Sequence, residues 1–99
     1  MAVPQLQDLG DGNWQLSGEL LFSNVTSLVR QPDFRSVKAD AIRIDLAGVT
    51  RAESAGLALL LEWCRAAEQL GKTISFVNMP QQMQSIAAVC GLGEILITA

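Results

Sequence analysis

Apolar and polar residues alternate in three short stretches of the chain, and a period of two is typical of strands with one buried face. The stretches are NWQLSGE, AIRIDLAG from Ala41 and TISFVN from Thr73. PQLQDL adds a weaker strand that forms a hairpin with the first across GDGN, and a short strand near EILIT closes the chain. Because each of the three strands is apolar on one side only, we expect helices to cover mainly one face of the sheet.

Helical spacing of apolar residues recurs between the strands in three segments. The first covers about residues 23–30, and the second runs over 54–70 and stops at Gly71, which suits the left-handed conformation that follows a helix. The third begins at Pro80 and ends at Gly91. Strand and helix thus alternate from about residue 40 onward, which favours parallel pairing. We predict one domain over residues 1–99, of class α/β, with a mixed sheet of four to five strands and helices packed mainly on one face.

The composition narrows the classes of function. The longest apolar run covers residues 55–61, far short of the roughly 20 residues of a membrane span. The start of the chain has no basic stretch followed by an apolar block, as a signal peptide would have. The net charge is −3 and the seven basic residues are scattered, which argues against nucleic-acid binding. We therefore expect a cytoplasmic protein with no membrane insertion and no nucleic-acid partner.

The chain offers few groups for catalysis or for a bound cofactor. It contains no histidine, and Cys64 and Cys90 lie apart in apolar helical patterns that favour buried thiols over metal ligands. The GDG sequence near residue 11 is a turn that does not lead from a strand into a helix, so it is not a phosphate loop. We predict no enzyme activity, no cofactor and no metal site. Asp45 is expected to bond backbone groups of the turn that follows it.

The segment Glu53-Ser54-Ala55-Gly56 lies at the start of the longest helix. Ser54 directly precedes the apolar-periodic run, so we predict that it is the N-cap, which stabilises a helix by about 1 kcal/mol relative to alanine. Glu53 adds negative charge where the helix dipole favours it, and Gly56 allows the helix to pack closely on a strand. A phosphate on Ser54 would also be accommodated there and would add a charge of about −1.5 to −2. The two roles of Ser54 are compatible.

The helix over residues 54–70 has an apolar arc wider than one contact with a sheet covers. Leu57 and Leu60 lie within its central part, while Leu59, Trp63 and Leu70 extend it well past a half-turn. Either neighbouring helices bury these flanks, or part of the arc is a surface for a partner protein. The second alternative makes the helix a candidate docking element.

Residues 42–96 resemble the STAS domain family, named for sulfate transporters and anti-sigma-factor antagonists. The family pattern is a strand ending in Asp-Leu, then Asp-Ser-(Ser/Ala)-Gly-Leu opening a long helix, and a closing Gly-Leu. The chain supplies Asp45-Leu46, Glu53-Ser54-Ala55-Gly56-Leu57 and Cys90-Gly91-Leu92, and WQLSGELLF resembles the family's early strand. The resemblance implies a sheet with helices on one side, a non-enzymatic role and a partner contact at the loop and helix around Ser54.

Within the family, ESAGLALLLEWCRAAEQLGKTISFVNMP most resembles the STAS subunits of Mla phospholipid-transport systems. This resemblance implies a regulatory or assembly subunit that is cytoplasmic and peripheral to the inner membrane. It would bind the ATPase of an ABC transporter, and through it the permease complex, which moves phospholipid between inner and outer membranes and maintains outer-membrane lipid asymmetry. The residues expected at the partner contact are Glu53, Ser54, Ala55, Gly56, Leu57, Leu59 and Trp63.

Two further hypotheses stay open. In the first, the protein is an anti-sigma-factor antagonist that a partner kinase switches by phosphorylating Ser54. Glu53 replaces the family's aspartate, which moves the carboxylate one methylene outward. Since a contact tolerates that change more easily than recognition by a kinase does, it favours the transporter hypothesis modestly. In the second, the protein is a small-ligand module with an apolar ligand between its helices.

Overall fold

The computed structural model describes residues 4–89 of the 99-residue chain. Its helices and strands are β1 (Gln5–Gly10), β2 (Asn13–Leu20), β3 (Ala41–Ala52), α1 (Ser54–Gln69), β4 (Thr73–Val77) and α2 (Gln81–Val89). Two short 3-10 helices, Val25–Leu28 and Phe34–Ser36, lie between β2 and β3. No helix within residues 4–89 is both long enough and apolar enough to cross a bilayer. The predicted strand near EILIT and the predicted helix end at Gly91 lie outside the described residues.

The four strands form one mixed sheet in the order β1-β2-β3-β4. β1 and β2 are antiparallel, whereas β2 and β3, and then β3 and β4, are parallel. The predicted hairpin is present, and its turn residues Gly10, Asp11 and Gly12 have φ angles of 90°, 54° and 84°. Such left-handed conformations are strained for most residues but not for glycine. The predicted α/β class with a mixed sheet is confirmed.

The helices pack on one face of the sheet, as the one-sided alternation predicts. Trp14, Leu16 and Leu20 of β2 point into the core, while the residues between them include half-buried polar side chains. From α1, Leu60 and Trp63 reach the same core and are no more than 1% exposed. Each such side chain contributes about 1.5–3 kcal/mol by leaving water. The sheet and α1 therefore share one hydrophobic core.

β3 carries two more residues than the part of β2 with which it pairs. Gln15 pairs with Asp45 and Ser17 with Gly48, so β3 has one extra residue between these pairs, and a second extra residue is Thr50. Each is a β-bulge, which inserts one residue and bends the strand. The buried positions of β3 follow the bulges, because they run 42, 44 and 46 and then continue at 49 and 52.

The segment between β2 and β3 differs from the prediction. The sequence predicts a helix over residues 23–30, but the structure has only the 3-10 helix Val25–Leu28. The Asn24 side chain accepts the N–H of Leu21 at 2.9 Å and donates to the carbonyl of Glu19 at 3.0 Å. Local bonds of this kind from asparagine compete with regular helix. The segment is therefore a compact loop closed around Asn24.

Candidate functional site

α1 begins directly at the end of β3, with Glu53 as the one linking residue. Glu53 is extended, with φ −94° and ψ 175°, and its carbonyl accepts the N–H of Gly56 at 2.9 Å, so it is the N-cap residue. Ser54 is exposed and is the first residue of the helix. The prediction that Ser54 is the N-cap is therefore wrong. The cap falls one residue earlier because β3 continues to Ala52, past the expected end of the strand.

The Glu53 side chain does not cap α1 but joins it to the loop after β2. Its Oε1 accepts the N–H of Phe22 at 2.9 Å. Its own backbone N–H donates to the carbonyl of Leu20, also at 2.9 Å. Glu53 therefore bonds both the last residue of β2 and the loop that follows it.

Gly56 brings the first turn of α1 into close contact with β2. A Cβ atom at Gly56 would lie 3.1 Å from Cβ and 3.2 Å from Cδ1 of Leu20, which is tighter than ordinary van der Waals contact. The predicted close packing of the helix on a strand at Gly56 is confirmed. It holds the first turn of α1, which begins at the exposed Ser54, against the end of β2.

Most of the predicted partner residues lie in the core. Ser54 is exposed and Glu53 is half-buried, whereas Leu57, Leu59 and Trp63 are only 3%, 1% and 1% exposed. The remaining two, in the first turn of α1, are also buried. The sheet, the first 3-10 helix and α2 all contact α1. Neighbouring elements thus bury most of these side chains, which position α1, although Leu59 also lines an open groove. The partner contact itself stays a prediction.

An apolar groove lies between α1 and the loop after β2, and we call it the Phe22 groove. It has a volume of about 280 Å³ and is lined by Phe22, Val25, Thr26, Val29, Ala55, Ala58, Leu59 and Glu62. Phe22 is 66% exposed and Val29 is 37% exposed. Ser54 lies one turn before Ala58, and residues four apart share a helix face. The exposed serine therefore lies at one end of an open apolar surface.

The sequence did not single out Phe22 and Val29 as surface residues. A regular helix over residues 23–30 would have grouped Val29 with Val25 and Leu28 on one buried stripe. In a 3-10 helix residues three apart are aligned, so Val25 and Leu28 are buried together and Val29 is left outside. The available signal was Phe22 itself, a large apolar residue that falls between β2 and the predicted helix.

Asp45 lies beside the first bulge of β3. Its Oδ1 accepts the N–H of Ala47 at 2.8 Å and the Nδ2–H of Asn78 at 3.1 Å. These two hydrogen bonds, and to a smaller extent the nearby charge of Arg43, hold the pKa of Asp45 below its ordinary value. The prediction that Asp45 bonds the backbone that follows it is confirmed, although that backbone is a bulge within β3 and not a turn. Its role is to satisfy the backbone of the bulged strand.

Within residues 4–89 no three His, Cys, Asp or Glu side chains are grouped so that they could hold a metal ion. Cys64 is half-buried, and burial together with the charge of Glu68 raises the pKa of its thiol. A thiol with a raised pKa stays protonated at neutral pH and is a poor nucleophile. Cys64 therefore suits packing beside the core.

The family model described as "Mlab, STAS domain" matches residues 7–98, which is nearly the whole chain. The chain belongs to the STAS domain family. STAS domains are in general non-enzymatic binding or regulatory domains that act through contacts between proteins. No curated protein matches this STAS domain closely enough to add to the assignment.

Solved structures share the fold of this STAS domain. The unphosphorylated anti-sigma factor antagonist SpoIIAA is 19% identical with a TM-score of 0.75, and covers 98% of this chain and 88% of its own. Phosphorylated SpoIIAA from Bacillus is 20% identical with a TM-score of 0.67, covering 98% and 91%. An anti-sigma factor antagonist from Mycobacterium paratuberculosis is 19% identical with a TM-score of 0.71, covering 99% and 85%. At this identity the similarity shows the fold alone.

Proposed function

We propose that this STAS domain is a non-enzymatic regulatory or assembly subunit that binds the ATPase of an inner-membrane ABC transporter for phospholipids. The family description Mlab and the resemblance of the α1 segment support this assignment. The observation that carries it is the Phe22 groove, an open apolar surface with the exposed Ser54 at one end. In this proposal residues 1–99 act as one domain, which is cytoplasmic and reaches the inner membrane and the permease only through the ATPase.

The groove suits an apolar side chain of the partner. Burying the exposed parts of Phe22 and Val29 is favourable by about 25 cal/mol for each Å² of apolar surface removed from water. Aromatic residues that become buried at the centre of an interface are frequent anchors of binding. Glu62 at the rim pairs with Arg65 at 3.2 Å, and rim charges of this kind orient a partner more than they hold it. The partner contact is therefore expected to be centred on Phe22.

The proposal is tested by isolating the tagged full-length protein from its own cells after the membranes have been solubilised in detergent. We expect a transporter ATPase and its permease to be recovered with it, in fixed proportion. Recovery of a small kinase and no ATPase would overturn the proposal.

Two serine variants locate the contact. Ser54→Arg adds bulk and charge beside the Phe22 groove, and we expect it to reduce recovery of the ATPase by about tenfold, the equivalent of roughly 1.4 kcal/mol. Ser85→Arg makes the same change at an exposed serine of α2 that does not line the groove, and we expect it to leave recovery unchanged. Equal recovery with both variants would place the contact elsewhere on the protein.

A second candidate function is an anti-sigma-factor antagonist regulated by phosphorylation of Ser54. The observation that favours it is the exposure of Ser54 in the first turn of α1, where a helix dipole stabilises a phosphate. Intact-mass measurement of the protein from cells in several growth conditions tests it, since a phosphate adds about 80 Da, the mass of HPO₃. Absence of a phosphorylated fraction in every condition would count against this function and leave the transporter proposal standing.

A further inference from the structure

We propose that Glu53 is the positioning residue of the Phe22 groove and is not a charge that the partner reads. By accepting the N–H of Phe22 at 2.9 Å, its carboxylate fixes the outer wall of the groove against the start of α1. The inference rests on the proposed function in one respect, which is that the Phe22 groove binds the partner. Beyond that function, it identifies Glu53 as the residue that positions Phe22 in the wall of the groove.

The loop that carries Phe22 is organised internally by Asn24. The Asn24 side chain bonds Leu21 and Glu19, and its backbone N–H donates to the Leu21 carbonyl at 3.0 Å. These bonds shape the loop and join it to the end of β2, and the buried side chains of Val25 and Leu28 hold its later part on the core. Neither contact holds Phe22, which is 66% exposed. A separate contact is required to hold the Phe22 backbone against the start of α1.

Glu53 supplies that contact, because it bonds the loop across 31 residues of sequence. Its backbone N–H is fixed to Leu20 at the end of β2, so its side chain starts from a defined point. Phe22 is 66% exposed, so little burial of its ring opposes movement of the wall. The bond from Phe22 to the Glu53 carboxylate is the polar contact, among those described in residues 4–89, that locates the Phe22 backbone against α1.

The length of the glutamate side chain matters for this role. Aspartate would end one carbon–carbon bond earlier, about 1.5 Å, which is too short to keep a bond of 2.9 Å to Phe22. Glutamine has the same length and keeps an oxygen that accepts a hydrogen bond, but it has no charge. Glu53→Asp therefore removes the bond and keeps the charge, whereas Glu53→Gln keeps the bond and removes the charge. The two substitutions separate positioning from recognition of charge.

The first measurement uses the full-length protein without any partner. Amide hydrogen exchange of Phe22, followed by NMR, is expected to be about tenfold faster in Glu53→Asp and Glu53→Ala than in the wild type. Glu53→Gln is expected to keep most of the protection. Glu68→Gln, an exposed glutamate later in α1, is the control and is expected to change nothing at Phe22. Thermal unfolding of each variant checks that the fold is intact.

The second measurement is recovery of the partner from solubilised membranes. We expect Glu53→Gln to recover it as the wild type does, and Glu53→Asp and Glu53→Ala to recover about tenfold less. The proposal would be overturned if Glu53→Asp recovered the partner as the wild type does and Glu53→Gln did not. The negative charge, and not the acceptor oxygen at that distance, would then be what the partner recognises. Equal exchange rates at the Phe22 amide in Glu53→Gln, Glu53→Asp and Glu53→Ala would also overturn it. The acceptor oxygen of Glu53 would then not be what holds Phe22.

The two measurements fail in different ways. If exchange follows the expected order but no Glu53 or Ser54 variant changes recovery of the partner, the positioning role stands and the proposed binding surface is wrong. If Ser54→Arg abolishes recovery but exchange at Phe22 does not respond to Glu53, the binding surface stands and the positioning role is wrong.

Discussion

At each end of α1 one charged side chain forms hydrogen bonds with the backbone of a loop, and we call these contacts the first and the second tie. The two ties differ in the kind of residue that they hold in place. Before α1, Glu53 accepts the N–H of Phe22. After α1, the Lys72 ammonium donates to the carbonyls of Val37 and Ala39, each at 2.8 Å. Val37 is half-buried and packs on the core, whereas Phe22 is 66% exposed. The second tie closes a loop onto the core, while the first holds the backbone of a residue whose aromatic ring is exposed.

Under the proposed function, that difference separates partner binding from stability along one helix. An apolar residue held in solvent by a long-range contact is a feature of binding surfaces. A loop fastened over the core by a charge bonded to carbonyls is a feature of folding. We expect substitutions at the two ends of α1 to divide in the same way, between loss of partner binding and loss of stability.

The largest expected effect compares two aromatic residues, one buried within α1 and one exposed in the loop before β3. Trp63→Ala is expected to lower the free energy of unfolding by about 3–5 kcal/mol, because it empties a fully buried site. Phe22→Ala is expected to change it by no more than about 0.5 kcal/mol, yet to reduce recovery of the partner. Urea denaturation measures the first quantity for both variants. A loss of stability in Phe22→Ala as large as in Trp63→Ala would erase the distinction between core and groove.

Gly56, at the start of α1, and Gly71, just after its end, differ in how closely other atoms approach the backbone, so substitutions at the two glycines should differ in their cost to stability. Gly56→Leu is expected to cost about 3 kcal/mol, because its side chain would overlap Leu20. Gly71, just after α1, has a φ of 70°, and a Cβ added there would meet nothing within 4 Å. Gly71→Ala is therefore expected to cost only about 1 kcal/mol, the strain of a left-handed alanine. Denaturant midpoints of the two variants check the order, and the reverse order would mean that α1 is free to move away from β2.

Removal of the second tie has a smaller expected effect. Lys72→Met keeps an aliphatic side chain but loses both bonds to Val37 and Ala39, so the free energy of unfolding should fall by about 2 kcal/mol. Recovery of the partner should not change. Lys38→Met, at an exposed lysine of the same loop, is the control and is expected to stay within about 0.5 kcal/mol of the wild type. Loss of partner binding in Lys72→Met would contradict the interpretation that the contacts after α1 serve stability alone.

The smallest expected effect concerns Asp45, a second carboxylate that accepts a backbone N–H. Because its pKa in the folded protein is lower than its ordinary value of 3.8, the ionised form stabilises the fold above that value. The contribution is lost as the pH falls through the folded-state pKa. Asp45→Asn should therefore be less stable than the wild type at pH 7, and the difference should shrink towards pH 3. Denaturation at pH 7, 5 and 3 checks this, and a difference independent of pH would contradict it.

The regular elements were predictable because their signal is local. Alternation along β2, β3 and β4 and the stop at Gly71 define the sheet and α1 to within a few residues. The cap was misplaced by one residue because the bulges of β3 extend that strand to Ala52, and a bulge depends on pairing with β2 that no local pattern contains. The burial of the candidate site residues also depends on contacts between distant parts of the chain, so local patterns did not predict it either.

The candidate site was only partly predictable. Ser54 was singled out and is exposed, and Leu59 lines the Phe22 groove, whereas Leu57 and Trp63 lie in the core. The sequence could not separate these cases, because a wide apolar arc looks the same whether neighbouring helices or a partner cover it. Phe22 was missed as a site residue because the hydrogen bond that joins its backbone to Glu53 spans 31 residues of sequence. Local periodicity carries no information on contacts of that range.

The bulges of β3 also determine where the length of this segment can change. Each bulge sets two residues of β3 opposite one residue of β2, so the residues on either side of it keep their faces. Deletion of Thr50 would therefore remove one bulge and leave Val49 and Ala52 facing the core, paired with Gly18 and Leu20 as before. A deletion in the regularly paired part of β3 has no bulge to absorb it and would turn the neighbouring side chains to the other face. Among relatives whose α1 lies on the same face, differences in the length of β3 should therefore fall at the two bulges.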